Sequence, residues 1–194
     1  KSQLEMKALL RFMRQEINGS SSLCDYVIER TSGRRSPIGV FAVSVNSASH
    51  SHEEGCCCPA CSNRYEDLIG KTVRMTLAEA ASCWLDSKLQ SWIEGNVTSS
   101  SLIKIIKPAA GYSSCPDHTL KQDILRLLGE NVHPHDCHGH NCGCGHSAKG
   151  LGIGLTESYA MTPEASICGF IFMHPEARYP DIRRISREQY GEYA

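Results

Sequence analysis

The stretch Lys107-Pro-Ala-Ala-Gly-Tyr-Ser-Ser-Cys-Pro-Asp-His-Thr119 constrains this chain more than any other. It has two prolines, one glycine and a run of small side chains, with no apolar period, so it reads as a stiff loop. Pro108 locks its own φ and drives Lys107 toward an extended backbone. Gly111 permits a geometry or a close approach that a β-carbon forbids. Such a loop offers its own N–H and C=O groups, which suits a flat polar ligand. A rigid connector that caps the next helix has the same composition. Beyond Pro116 and Asp117, Leu120, Ile124, Leu127 and Leu128 recur at helical spacing and predict a helix over 117–128.

The remaining elements follow from periodicity. Leu9, Leu10, Met13 and Ile17 predict an amphipathic helix over 4–17. Residues 38–45 are apolar nearly throughout and read as a central strand. A long helix is expected over 64–92, its stripe made of Tyr65, Leu68, Ile69, Val73, Leu77, Ala80, Ala81, Trp84, Leu85 and Leu89. A short strand is expected over 102–106. Residues 151–161 and 166–174 alternate around Thr162-Pro-Glu-Ala165 and predict a β-hairpin. Ser186 with Gln189 forms a capping box that opens a last helix. The expected fold is α+β, one domain over 1–194, with a twisted mixed or antiparallel sheet flanked by helices.

At 194 residues the chain can bury a real core, and a hydrophobic share of 41% beside 21% charge is ordinary for a globular protein. A net charge of -1 argues against nucleic acid or an anionic membrane as partner. No apolar run nears the roughly 20 residues of a membrane span, and Lys1-Ser-Gln-Leu-Glu-Met has no signal-type apolar core. A cytoplasmic location is expected.

The 11 cysteines are unusual. Two polar insertions, 46–63 and 130–150, collect most of them with seven of the histidines. Cys58-x-x-Cys61 has metal-ligand spacing, and Cys142-x-Cys144 with His146 adds thiolates and imidazole enough for tetrahedral zinc. An iron–sulfur centre is the alternative metal reading, and two solvent loops with free thiols are the third.

Six motifs in order carry a resemblance over nearly the whole chain: Leu77-Ala-Glu-Ala80, Lys107-Pro-Ala-Ala-Gly-Tyr112, Cys115-Pro-Asp-His-Thr119, Leu155-Thr-Glu-Ser-Tyr-Ala-Met161, Pro163-Glu-Ala-Ser166 and His174-Pro-Glu-Ala-Arg-Tyr179. With them the chain resembles the activation (S-adenosylmethionine-binding) domain of cobalamin-dependent methionine synthase, a methyltransferase. The resemblance implies a module that docks on a cobalamin-binding domain, with a flavodoxin-like electron donor. It supports reductive methylation of cob(II)alamin by S-adenosylmethionine, in which the protein binds and orients while cobalt and sulfonium do the chemistry. It implies no catalytic residue.

The ligand set implied by the resemblance is Glu79, Lys107, Ala109, Gly111, Tyr112 and Tyr179. Glu79 suits an ammonium or sulfonium, and Ala109, Gly111 and Tyr112 the adenine end. Tyr179 stands near the ligand carboxylate. Lys107 replaces a family Arg that pairs with that carboxylate, and a point charge in place of a planar fork implies weaker or differently posed binding. Thr162 and Glu164 stand where the family more often has Trp and Gly. Two rival functions remain: a stand-alone reactivation domain for another corrinoid protein, or a metal-binding or metal-sensing protein that kept the fold.

Overall fold

The computed structural model describes residues 8–16, 19–33, 36–45, 64–96, 103–129 and 152–193. Both Cys/His-rich insertions lie outside them, so Cys58, Cys61, Cys142, Cys144 and His146 are not placed. Among the described residues, no three His, Cys, Asp or Glu side chains are grouped as a metal site.

The first element departs from expectation. In place of a helix over 4–17, residues 8–13 are irregular and Arg14–Gln15 form β1, antiparallel to β2 (Ser21–Ser22). Tertiary contacts outweigh the weak helical pattern here. Phe12 meets Phe170 and Phe172 edge-on, with ring centroids 5.0 and 5.7 Å apart. The Arg14 guanidinium grips Asp25 through both carboxylate oxygens, at 3.1 and 2.5 Å. That bond, larger than the opposing effect of burial, holds the Asp25 carboxyl below its ordinary range. A 3₁₀ turn, Leu23–Tyr26, follows, capped by Ser22 and Asp25.

The main sheet is antiparallel in the order β3-β7-β4, built from β3 (Gly39–Ser44), β4 (Lys104–Ile106) and β7 (Ser166–His174). The centre is therefore β7, and β3 lies at an edge, against expectation. Burial explains the exchange. Cys168, Phe170, Ile171 and Phe172 are all buried on β7, whereas Phe41 alone is buried on β3. The two apolar runs around 162–165 also do not pair as one hairpin. Instead β5 (Gly154–Leu155) pairs with β6 (Met161–Thr162). Ser166 Oγ donates to the Pro163 carbonyl at 2.6 Å and shares a hydrogen bond with the Ser44 hydroxyl at 2.9 Å, which locks β7 opposite β3.

The long helix α1 runs Arg64–Asn96 and packs on β3, β4 and β7. Its packed face keeps only the C-terminal part of the expected stripe. Ala78 and Ile93 are buried and Ser82, Leu85 and Leu89 half-buried, while Tyr65, Leu68, Ile69, Val73, Leu77 and Trp84 are exposed. Small residues at 78 and 82 let the helix approach the sheet closely, so contact follows shape rather than apolar count. Helix α2 (Leu120–Leu127) buries Leu120, Ile124 and Leu125. Helix α3 (Arg187–Tyr193) starts where expected, and the Gln189 N–H donates to Ser186 Oγ at 3.2 Å. The Gln189 amide does not close the box; it donates to the Arg14 carbonyl at 3.0 Å. Among the described residues no helix is long and apolar enough to cross a membrane.

Candidate functional site

The turn predicted at 107–119 leaves β4 and lies across the middle of β7. Two backbone bonds clamp it there: Ala110 N–H to the Cys168 carbonyl (3.1 Å) and Phe170 N–H to the Pro108 carbonyl (3.0 Å). A further bond, Gly111 N–H to the Cys115 carbonyl at 2.7 Å, folds the turn on itself. Gly111 has φ +98°, a left-handed value that L side chains rarely adopt. A β-carbon there would also lie 2.6 Å from the His118 ring. Ala109 is buried and Tyr112 exposed.

Tyr179 meets the start of this turn, its phenol oxygen accepting the Lys107 N–H at 2.9 Å. Lys107, Ala109, Gly111, Tyr112 and Tyr179 are thus brought together. The Lys107 side chain is only 6% exposed. Its ammonium donates to the Ser82 carbonyl and to Ser82 Oγ (2.8 Å), and pairs with Asp86 Oδ1 at 3.0 Å. It also lies 5.2 Å from the centre of the Phe41 ring. Three donors therefore meet three acceptors. Glu79 is exposed on α1, one helical turn before Ser82, and so neighbours the point where Lys107 is tied.

Tyr112 also lines a cavity of about 490 Å³, within the range of small-molecule sites. Its wall takes in Ala110, Tyr112, His118, Lys121, Glu164 and Cys168. Lys121 is 8% exposed, and its ammonium donates to His118 Nδ1 and to the Tyr159 carbonyl, each at 2.9 Å. Tyr159 holds that carbonyl in place with φ +60°, a costly value for a non-glycine residue. Burial lowers the Lys121 pKa and pushes the Cys168 thiol up to about 11, so Cys168 is a neutral wall at physiological pH.

The comparisons with known proteins agree on one family. The family model described as "Vitamin B12 dependent methionine synthase, activation domain" matches residues 1–135 and 143–194. The chain belongs to that family. A solved structure, the MetH reactivation domain bound to AdoHcy, is 26% identical with a TM-score of 0.66. The match covers 94% of this chain and 54% of that one, so the chain spans about half its length.

In this chain the motifs at 107–119 and 155–166 meet around the cavity, and Tyr179 of 174–179 meets Lys107. Sequence alone did not single out Lys121, which looks like any charged residue on a short helix. Its spacing of three from His118, just ahead of α2, is the signal that could have found it. His118 forms part of the cavity wall, and His174 Nδ1 accepts the Glu176 N–H at 3.1 Å as a local cap. Glu164 reaches from the cavity rim to Lys71 of α1, at 2.5 Å.

Proposed function

We propose that this chain binds S-adenosylmethionine and serves as the reactivation module of a cobalamin-dependent methionine synthase. The observation that carries this is the turn 107–112, clamped on β7 with Ala110, Tyr112 and the His118 ring packed on Gly111 lining a cavity of ligand size. The residues fit the group. Gly111 lets the turn close against the His118 ring, where a β-carbon would clash, and the turn sets the exposed Tyr112 ring in the cavity wall. Glu79 offers a solvated carboxylate to a positive sulfonium. Tyr179 and the tied ammonium of Lys107 hold the turn in shape. The sulfonium supplies the methyl group, and a corrinoid on a partner domain supplies the cobalt that receives it. This chain contributes binding, orientation and exclusion of water, with no acid or base.

The match to an AdoHcy-bound domain supports the same ligand class. The proposed partners are a cobalamin-binding domain or corrinoid protein and a flavodoxin-like electron donor, in the cytoplasm. Titration calorimetry with S-adenosylmethionine tests the reading: saturable binding is expected, and Glu79→Gln should weaken it about threefold to tenfold. A full chain that takes up no S-adenosylmethionine overturns it. We also propose that the Cys/His insertions bind zinc or an iron–sulfur centre through Cys58, Cys61, Cys142, Cys144 and His146. Elemental analysis of tag-free protein should then find stoichiometric metal, and trace amounts overturn the assignment.

A further inference from the structure

Lys121 is a costly residue where it stands. It is 8% exposed, and among the described residues its ammonium bonds the His118 ring and the Tyr159 carbonyl but no carboxylate. A buried ammonium without a counter-charge is less stable than an apolar side chain of similar length. Burial accordingly lowers its pKa. Stability alone does not account for a lysine here, whereas its two bonds do.

Those bonds join three segments: α2, the turn between β5 and β6, and the turn 107–119. The Tyr159 carbonyl is a fixed post. Its turn is closed by the Thr156 N–H on the Ala160 carbonyl and by the Tyr159 N–H on the Thr156 carbonyl, both at 2.9 Å. Thr156 Oγ1 accepts the Ala160 N–H as well, at 3.1 Å. At the other bond an ammonium has only donors to offer. His118 Nδ1 therefore accepts, and the ring carries its single hydrogen on Nε2.

The same edge of that ring meets Gly111. The atoms nearest to where a β-carbon on Gly111 would stand are His118 Cε1, Nε2 and Nδ1, at 2.6, 2.9 and 3.0 Å. A ring turned over about its Cβ–Cγ bond would lose the Lys121 bond and put Cδ2 in the place of Nδ1. The Lys121 bond thus selects one orientation and one tautomer of the ring on which Gly111 packs. Gly111 in turn folds the loop, through its left-handed φ and its N–H on the Cys115 carbonyl.

We propose that Lys121 is a positioning residue for the ligand-binding turn: anchored on the Tyr159 carbonyl, it fixes His118 as the Nε2–H tautomer against Gly111. The proposal rests on the S-adenosylmethionine reading for what the turn binds, and adds the residue that sets the turn's shape. Lys121 acts on the ligand through His118.

The test joins nitrogen-15 NMR of the uniformly labelled full chain to titration with S-adenosylmethionine, with His118→Gln used to assign the His118 signals. In the wild type Nε2 should be protonated and Nδ1 not. In Lys121→Met both tautomers should be present and the Gly111 amide signal should move. That variant should melt no lower than the wild type, because an apolar chain replaces an unpaired buried charge. It should nevertheless bind S-adenosylmethionine about fivefold more weakly. In the His118→Gln background the same change should alter affinity by less than about twofold, since its route through the ring is gone. The proposal is overturned if wild-type His118 carries its hydrogen on Nδ1, or if Lys121→Met leaves the tautomer and the Gly111 signal unmoved. Unchanged affinity in Lys121→Met, or additive losses from the two substitutions, overturns it too. A wild type that takes up no S-adenosylmethionine overturns the binding reading instead. The NMR signals then still decide the role of Lys121: their dependence on it supports positioning, and their independence overturns it.

Discussion

Gly169→Ala is expected to cost about 3 kcal/mol of stability, at the upper end for overpacking a core. A β-carbon at 169 would lie 2.3 Å from the Pro108 carbonyl oxygen and 2.8 Å from the Ala109 α-carbon. Both are backbone atoms, and neither is the movable end of a side chain. The turn would have to lift from β7, breaking the bonds between Ala110 and Cys168 and between Phe170 and Pro108. Total stability of a domain is only about 5–15 kcal/mol, so the variant should melt many degrees lower. Chemical denaturation measures the cost. A loss under about 1 kcal/mol would mean the turn is not clamped on β7 and would remove the basis of the site.

The second large effect is expected on binding. Gly111→Ala should lower affinity for S-adenosylmethionine more than about tenfold, with about 1–2 kcal/mol of stability lost as well. Two causes act together. The left-handed φ is unfavourable for alanine, and the added methyl meets the His118 ring at 2.6 Å. That ring cannot swing away freely, because Nδ1 accepts a bond from Lys121. Displacing it therefore disturbs the cavity as well as the turn. Gly95→Ala is the matched control: it sits in α1 with nothing within 4 Å of an added β-carbon, and the change should be neutral or slightly stabilising. Equal affinities for wild type and Gly111→Ala would show that the ligand does not use this turn.

Much of the fold was legible wherever a strong local signal met no competitor. The α+β class, the long helix, the strand before the 107–119 loop and the start of α3 all came from period and capping. The segment at 4–17 failed because an apolar pattern states only that residues are buried. Phe12, outside the pattern, is drawn onto Phe170 and Phe172, and the Arg14 grip on Asp25 fixes an extended chain. The stripe on α1 failed for a related reason. Six large apolar side chains of that stripe are exposed, and the face that packs has small residues at 78 and 82.

By itself the amino-acid sequence determined the stiff turn, the need for glycine within it, the order of motifs and the family to which they belong. Those are local or linear properties, set by what each backbone and side chain can do. Which strand became central, and which groups Lys107 and Lys121 bond, were decided only in three dimensions. Hydrogen-bond satisfaction depends on neighbours that are distant in the chain. Ser82 and Asp86 meet Lys107, and Tyr159 meets Lys121, across separations that no periodicity reports.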